Sequence, residues 1–328
     1  MRVTRLAPSP TGALHLGNAR TFLVNWLLAR RQGWRILLRV EDLDGPRVRP
    51  EASLQAVEDM RWLGLDWEEG PIHQIPRMGL YSDAIEQLVR RGLAYPCVCS
   101  RREVDLAASA PHAEDGATVY PGTCRGRYHS VEDARKRGGR EPAVRFAVPP
   151  GVVRFDDQVS GCHSIDVAAR LGDFVIARSD GVRPDGRTRW APAYQLAVVV
   201  DDAGMGVTDV VRGDDLLDSV PRQILVYRAL DLADRVPRYY HLPLVVGPDG
   251  RRLAKRHGDT RLSWYRGRGV PPARVLALLA RWCGMPEAAP VGDTTDVLHR
   301  MLTQFRLESM PRDAITFTAD DDAWLRAV

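Results

Sequence analysis

The chain has 328 residues, enough for two domains, with 45% apolar and 27% charged side chains, the balance of a soluble globular protein. No apolar run approaches the ~20 residues of a membrane span, and Met1-Arg2-Val3-Thr4-Arg5 leaves no room for a signal peptide, so a cytoplasmic protein is expected. The net charge of +4 is too small to argue for nucleic acid by itself, and only Lys136 and Lys255 are lysine, so that 44 of the 46 basic residues are arginine.

An apolar run from Val3 to Ala7 reads as a strand. The loop Pro8-Ser9-Pro10-Thr11-Gly12 follows, then His15, Gly17 and a helical pattern. A strand, a glycine-containing loop and a helix N-terminus predict an anion cradle of free backbone N–H groups, with Gly17 admitting a flat ligand. Phe22, Leu23, Trp26 and Leu27, three to four residues apart, predict an amphipathic helix over 19–31 with its aromatics in the core, ended by Gly33. Arg35-Ile36-Leu37-Leu38-Arg39-Val40 reads as a buried parallel strand, completing a βαβ unit and predicting an α/β sheet. It delivers Glu41-Asp42-Leu43-Asp44 at its carboxyl end, where ligands lie in open α/β sheets.

Helices are expected from Pro50 to Leu63 and from Tyr81 to Arg91. Residues 95–145 have a different chemistry. Cys97-Val98-Cys99 opens this stretch and Tyr120-Pro121-Gly122-Thr123-Cys124 follows, holding three of the five cysteines. In a cytoplasmic chain such clustering favours a metal over a disulfide. A tetrahedral zinc needs a fourth ligand, for which Tyr120, His112 and His129 are the candidates, a histidine being favoured by general ligand chemistry. The loop 105–118 is expected to be the most mobile. Two more strands read at 145–148 and 174–176, and the run ending Val198-Val199-Val200-Asp201-Asp202 reads as a further central strand. Val210-Val211-Arg212-Gly213-Asp214-Asp215 follows, with a helix from Leu216 to Leu230. Pro248-Asp249-Gly250 is a turn before the basic segment Arg251-Arg252-Leu253-Ala254-Lys255-Arg256, and Val275 to Leu279 is helical.

Four of these segments, in this order, resemble the class I glutamyl-tRNA synthetases and their shorter relatives. Arg5 to Ser9 with His15-Leu16-Gly17-Asn18 is similar to the family's first signature, His15 to Asn18 standing for the "HIGH" motif with Asn18 in its last place. The resemblance implies a Rossmann-type α/β catalytic core, a small zinc-binding insertion and a short helical C-terminal region. It implies boundaries at 1–94 and 146–240 for the two halves of the core, 95–145 for the insertion, and 241–328 for the remainder. Arg5, Ala7, Ser9, Glu41, Tyr194 and Arg212 would bind glutamate; His15, Gly17, Asn18 and Lys255 would bind ATP, with His15 and Lys255 catalytic. Glu41 would pair with the substrate ammonium, and Arg212 with a carboxylate in preference to its amide analogue.

Arg252 to Arg256 resembles the "KMSKS" loop, and Lys255, retained in a chain that otherwise writes arginine, would place a compact ammonium on the phosphates. Such a contact is worth roughly 10²–10³ in rate. Mg²⁺ would accompany ATP. One structural Zn²⁺ would sit on Cys97, Cys99, Cys124 and, by resemblance, Tyr120. The resemblance is strong to about residue 265, and the chain ends where a full synthetase continues into an anticodon-binding region. The short relatives activate glutamate without tRNA and transfer it to the queuosine base at the wobble position of tRNA(Asp). The expected partners are therefore ATP, L-glutamate and queuosine-containing tRNA(Asp), with no membrane, and a monomer. The alternatives are a minimal glutamyl-tRNA synthetase charging the tRNA 3′ end and a non-catalytic RNA-binding paralogue; a cytidylyltransferase shares only the His-x-Gly loop.

Overall fold

A computed structural model of the protein describes residues 1–10, 12–43, 48–108, 119–182, 184, 186, 188–251, 253, 258–285 and 293–327. The expectations for Thr11, Asp44, His112 and Lys255, and most of those for the loop 105–118, lie outside the described residues.

The first half is the expected βαβ unit. Strand β1 (Val3–Leu6) leads through a loop to helix α1 (Leu16–Gln32), then β2 (Arg35–Val40), α2 (Pro50–Trp62), β3 (Glu69–His73) and α3 (Met78–Arg90). The strands pair in parallel in the order β1-β2-β3. The middle of the chain supplies β4 (Ala94–Cys97), α4 (Arg101–Ala108), α5 (Val131–Gly138), β5 (Ala143–Phe146), the hairpin β6 (Val152–Asp157) and β7 (Gly161–Asp166), α6 (Val167–Arg170), β8 (Phe174–Val182) and β9 (Thr188–Pro192). Strands β4, β5, β8 and β9 form an antiparallel sheet in that order. Next come α7 (Tyr194–Gly204), β10 (Asp209–Gly213), α8 (Ser219–Ala229), β11 (Arg238–Leu242) and β12 (Val245–Val246). Helices α9 (Leu262–Arg266), α10 (Pro272–Arg281) and α11 (Thr294–Gln304), strand β13 (Ile315–Thr316) and helix α12 (Ala319–Arg326) complete the described chain.

Strands β10 and β11 are parallel, and the two parallel groups meet edge to edge at β1 and β10. Thr208 N–H donates to Val3 O at 2.8 Å, and Val3 N–H to the Thr208 hydroxyl at 2.8 Å. From this seam β1 runs out through α1 to β2, and β10 runs through α8 to β11 in the opposite direction. The seam is a topological switch point, with a crevice at the carboxyl ends of β1 and β10.

Two sequence expectations are corrected. The run ending Val198-Val199-Val200-Asp201-Asp202 is helix α7, not a strand. A continuous apolar run is compatible with either state when it is buried all round, and α7 is packed among α3, α8 and β8 with Leu196 to Val199 and both aspartates buried. Helix α1 is likewise not one-faced: every residue from Leu23 to Ala29 is buried. It is enclosed because α10 and α11 cover the side turned away from the sheet. Arg20, also buried, donates to Pro243 O at 2.7 Å and Trp282 O at 3.2 Å, tying those segments to α1. Phe22 is only half-buried and faces the crevice, while Trp26 is core as expected. Among the described residues no helix is long and apolar enough to cross a membrane.

Candidate active site at the switch point

The crevice is a cleft of about 470 Å³. Its walls include Arg5, Ala7 and Ser9 from the end of β1, His15, Gly17 and Asn18 from the start of α1, Glu41 after β2, Tyr194 on α7 and Arg212 on β10. Nine positions scattered over some two hundred residues of sequence thus line one cavity. Lys255 lies outside the described residues, but its flanks adjoin the cleft wall: Leu16 N–H donates to Thr260 O at 3.0 Å, and Leu262 N–H to Leu14 O at 2.9 Å.

His15 is the N-cap of α1. Its Nδ1 accepts from the N–H groups of Gly17 at 3.1 Å and Asn18 at 3.4 Å, while Asn18 Oδ1 accepts from His15 N–H at 3.3 Å. This overturns the expectation of free N–H groups at the helix start. Those of Leu16, Gly17, Asn18 and Ala19 are all taken, by Thr260 O, His15 Nδ1 twice and His15 O. With Nδ1 an acceptor, a neutral His15 ring carries its proton on Nε2. Gly17 has a reason beyond ligand approach: a Cβ there would lie 3.1 Å from two atoms of the His15 ring.

Beneath the cleft lies a buried ion network. Arg39 in β2 is completely buried and donates to Asp202 at 2.6 Å and to Glu41 at 3.0 Å. Arg5 Nε is 3.4 Å from Asp202, and its NH1 donates to Val211 O at 3.3 Å. Asp201 accepts from Gln74 and Arg77, each at 2.7 Å, and from Tyr81. Burial opposes the charge on Arg39, but Asp202, Glu41 and Asp201 together hold its pKa far above the usual value. Glu41 is thereby fixed at the rim, whereas Asp42 turns inward and caps the next segment, accepting from the N–H groups of Gln74 at 2.9 Å and Ile75 at 3.0 Å.

Arg212 is anchored on three sides. Its Nε donates to His241 Nε2 at 2.9 Å, NH1 to the Tyr194 hydroxyl at 3.2 Å and NH2 to Leu216 O at 3.3 Å. A guanidinium has five N–H groups, so one is left over on each terminal nitrogen. Sequence reasoning missed Arg39, Asp201, Asp202, Asp157 and His241. The available signal was a charge inside an apolar run (Arg39, and Asp201-Asp202 after Val200), because buried charge demands a partner.

A second cluster lies at the end of β4. The Sγ atoms of Cys97, Cys99 and Cys124 fall within 4.8 Å of one another. The Tyr120 hydroxyl sits among them, 3.3 Å from Cys97 Sγ and 3.6 Å from Cys99 Sγ. No histidine joins the group among the described residues, and His129 is exposed. Arg145 donates to Cys97 Sγ at 3.3 Å, with its guanidinium carbon 3.7 Å from the centre of the Tyr120 ring. Burial opposes ionisation of Cys97, yet its hydrogen bonds with Tyr120 and Arg145 hold its thiol below the usual range. Burial and the neighbouring thiols push Cys99 up to about 12. Three sulfurs with a phenol oxygen, converging around one point beside a small core of Tyr95, Tyr128 and Ala134, suit a tetrahedral thiophilic cation. Gly172, at φ 66°, lets Tyr120 approach: a Cβ there would meet Val119 at 2.9 Å and Tyr120 O at 3.0 Å.

The fold and cleft define a doubly wound α/β core of the nucleotide-binding type, with one charge-lined cleft at its switch point. Residues 2–301 match the family model described as tRNA synthetases class I (E and Q), catalytic domain, and the chain belongs to that family. It is 46% identical over 331 residues to the glutamyl-Q tRNA(Asp) synthetase of Symbiobacterium thermophilum, covering 98% of this chain and 97% of that protein. It is 40% identical over 327 residues to the glutamate–tRNA ligase of Citrifermentans bemidjiense, covering 98% of this chain but 65% of the relative. A crystal structure of a glutamate tRNA ligase from Elizabethkingia meningosepticum in complex with its amino acid superposes with a TM-score of 0.76 at 26% identity, over 99% of this chain and 68% of that one.

Proposed function

We propose that the chain is an ATP-dependent ligase that activates L-glutamate as glutamyl-adenylate without tRNA and transfers the glutamate to the queuosine base at the wobble position of tRNA(Asp). The observation that carries this reading is the gathering of Arg5, Ala7, Ser9, Glu41, Tyr194 and Arg212 around one cleft beside the His15 turn. The near end-to-end match to a glutamyl-Q tRNA(Asp) synthetase selects the acceptor.

In this reading Glu41, oriented by Arg39, receives the substrate ammonium. Arg212 and Tyr194 hold the side-chain carboxylate, with Arg5, Ala7 and Ser9 completing the pocket. ATP, which class I synthetases use with Mg²⁺, lies along His15, Gly17 and Asn18. An oxygen of the glutamate α-carboxylate attacks the α-phosphorus, the bond to the bridging oxygen breaks, and pyrophosphate leaves. His15 Nε2–H and the Lys255 ammonium stabilise the charge that develops on the phosphates. Catalysis is positioning plus electrostatics, with no side-chain nucleophile. Cys97, Cys99, Tyr120 and Cys124 would hold one Zn²⁺, which would pin the 95–145 insertion. The enzyme acts as a cytoplasmic monomer.

The test is to supply radiolabelled glutamate, ATP and queuosine-containing tRNA(Asp), digest the RNA and locate the label. Label in the anticodon-loop fragment supports the proposal. Label on the 3′-terminal adenosine of tRNA(Glu) supports a minimal glutamyl-tRNA synthetase, the reading that the likeness to a glutamate–tRNA ligase favours.

A further inference from the structure

Arg212 is held from behind by His241, which is in turn held by Asp157, and the proposed reaction uses neither. His241 on β11 lies in register with Arg212 on β10. His241 Nε2 accepts from Arg212 Nε at 2.9 Å. Its Nδ1 is 2.7 Å from Asp157 Oδ2, and its backbone N–H donates to the same oxygen at 3.1 Å. Asp157 closes β6, which meets β11 at the single pair Tyr239–Asp157. Its Oδ1 accepts from the N–H groups of Val159 at 3.0 Å and Ser160 at 2.9 Å. Both side chains are completely buried, and neither lines the cleft.

The hydrogen bonds have one consistent assignment. A guanidinium can only donate, so His241 Nε2 carries the lone pair and Nδ1 the proton. Asp157 enforces that tautomer by accepting from Nδ1–H. The opposite tautomer would set N–H against N–H at Arg212, and an imidazolium would add a cation beside a guanidinium. Burial, reinforced by the Arg212 charge, keeps the ring neutral by holding its pKa below the usual value despite Asp157.

We infer that Asp157 and His241 form a positioning pair for substrate selection: Asp157 sets the imidazole tautomer, and the imidazole locks the Nε edge of Arg212 so that its two remaining terminal N–H groups stay aimed at the glutamate side-chain carboxylate. The inference rests on the reading of Arg212 as the ligand of that carboxylate. With the Nε edge released, the guanidinium can rotate, losing the bidentate geometry and, with it, part of the preference for glutamate over glutamine.

Glutamate-dependent ATP–pyrophosphate exchange by the full chain tests this with His241→Asn, His241→Gln, Asp157→Asn and Arg212→Ala. Asparagine keeps a donor toward Asp157 but places nothing at the Nε2 position, whereas glutamine reaches that position with a carbonyl oxygen. His241→Asn is expected to raise KM for glutamate by about tenfold, the scale of one lost charge-assisted hydrogen bond, with KM for ATP and the melting temperature little changed. His241→Gln should recover most of the loss. Asp157→Asn, whose amide can stabilise the wrong tautomer, should follow His241→Asn. Equal glutamate KM in the wild type, the asparagine variant and the glutamine variant would overturn the inference. So would parallel losses for both substrates together with a lowered melting temperature, the mark of a merely structural pair. Unchanged glutamate use by Arg212→Ala would remove the reading of Arg212 itself. Loss in Arg212→Ala without loss in the other three variants would remove the positioning pair alone.

Discussion

Arg39 and Asp202 face each other at 2.6 Å beneath the cleft, one from the first half of the sheet and one from a helix of the second, and both are buried. This contact ties the two halves together beneath the place where they jointly line the site. Removing Arg39 takes the paired charge from Glu41 and leaves buried Asp202 with the more distant Arg5, 3.4 Å away. Arg39→Met is therefore expected to cost about 3–5 kcal/mol in urea unfolding. A loss under 1 kcal/mol would mean that solvent reaches the network.

On the proposed reading, Arg212→Ala removes two charge-assisted hydrogen bonds to the substrate. The expected result is a fall of at least ~10²-fold in kcat/KM for glutamate, with a far smaller fall for glutamine, so that discrimination between the two collapses. Arg212→Lys should rescue it only weakly, since an ammonium cannot keep the contacts to His241, Tyr194 and Leu216 together. Steady-state exchange kinetics with both amino acids read this directly.

Metal analysis of the purified chain should find about one zinc per molecule. Cys124→Ser should lose it. Tyr120→Phe should weaken retention against a chelator, and His129→Ala should leave it unchanged, because the Tyr120 hydroxyl sits among the sulfurs and His129 is exposed. Full zinc retention in Cys124→Ser would contradict the assignment.

Asp59 on α2 is buried, with one oxygen on Gln55 at 2.8 Å and the other without a partner. Burial pushes its carboxyl up to about 6. A carboxyl that binds its proton more tightly in the folded state contributes stability at low pH and loses it as pH rises from the unfolded value, near 4, through 6. Asp59→Asn removes that dependence. The variant should match the wild type near pH 4 and exceed it by about 1–3 kcal/mol at pH 8. A variant less stable than the wild type at pH 8 would show that the ionised carboxylate is favourably paired.

Arg5, Ser9, His15, Glu41, Tyr194 and Arg212 were legible through the resemblance of their segments to a known family rather than through any local pattern, and the fold brings all six to one cleft. What lies behind them was not. The helix at 194–204 read as a strand because a segment buried on every side shows no periodicity. The N-cap role of His15 was hidden because histidine is an uncommon cap, and the backbone N–H groups expected to be free are taken by its ring and by neighbouring carbonyls. Asp157 and His241 are separated by 84 positions and brought together by one strand pair, a contact that no local spacing encodes. Arg39 was visible as a charge in an apolar strand, but its partners on α7 could be named only once that segment was known to be helical.

The central claim is tested most directly by ATP–pyrophosphate exchange with glutamate and no RNA. The account expects exchange that depends on glutamate and is already present before any tRNA is added. Exchange that stays silent until tRNA(Glu) is supplied would contradict it.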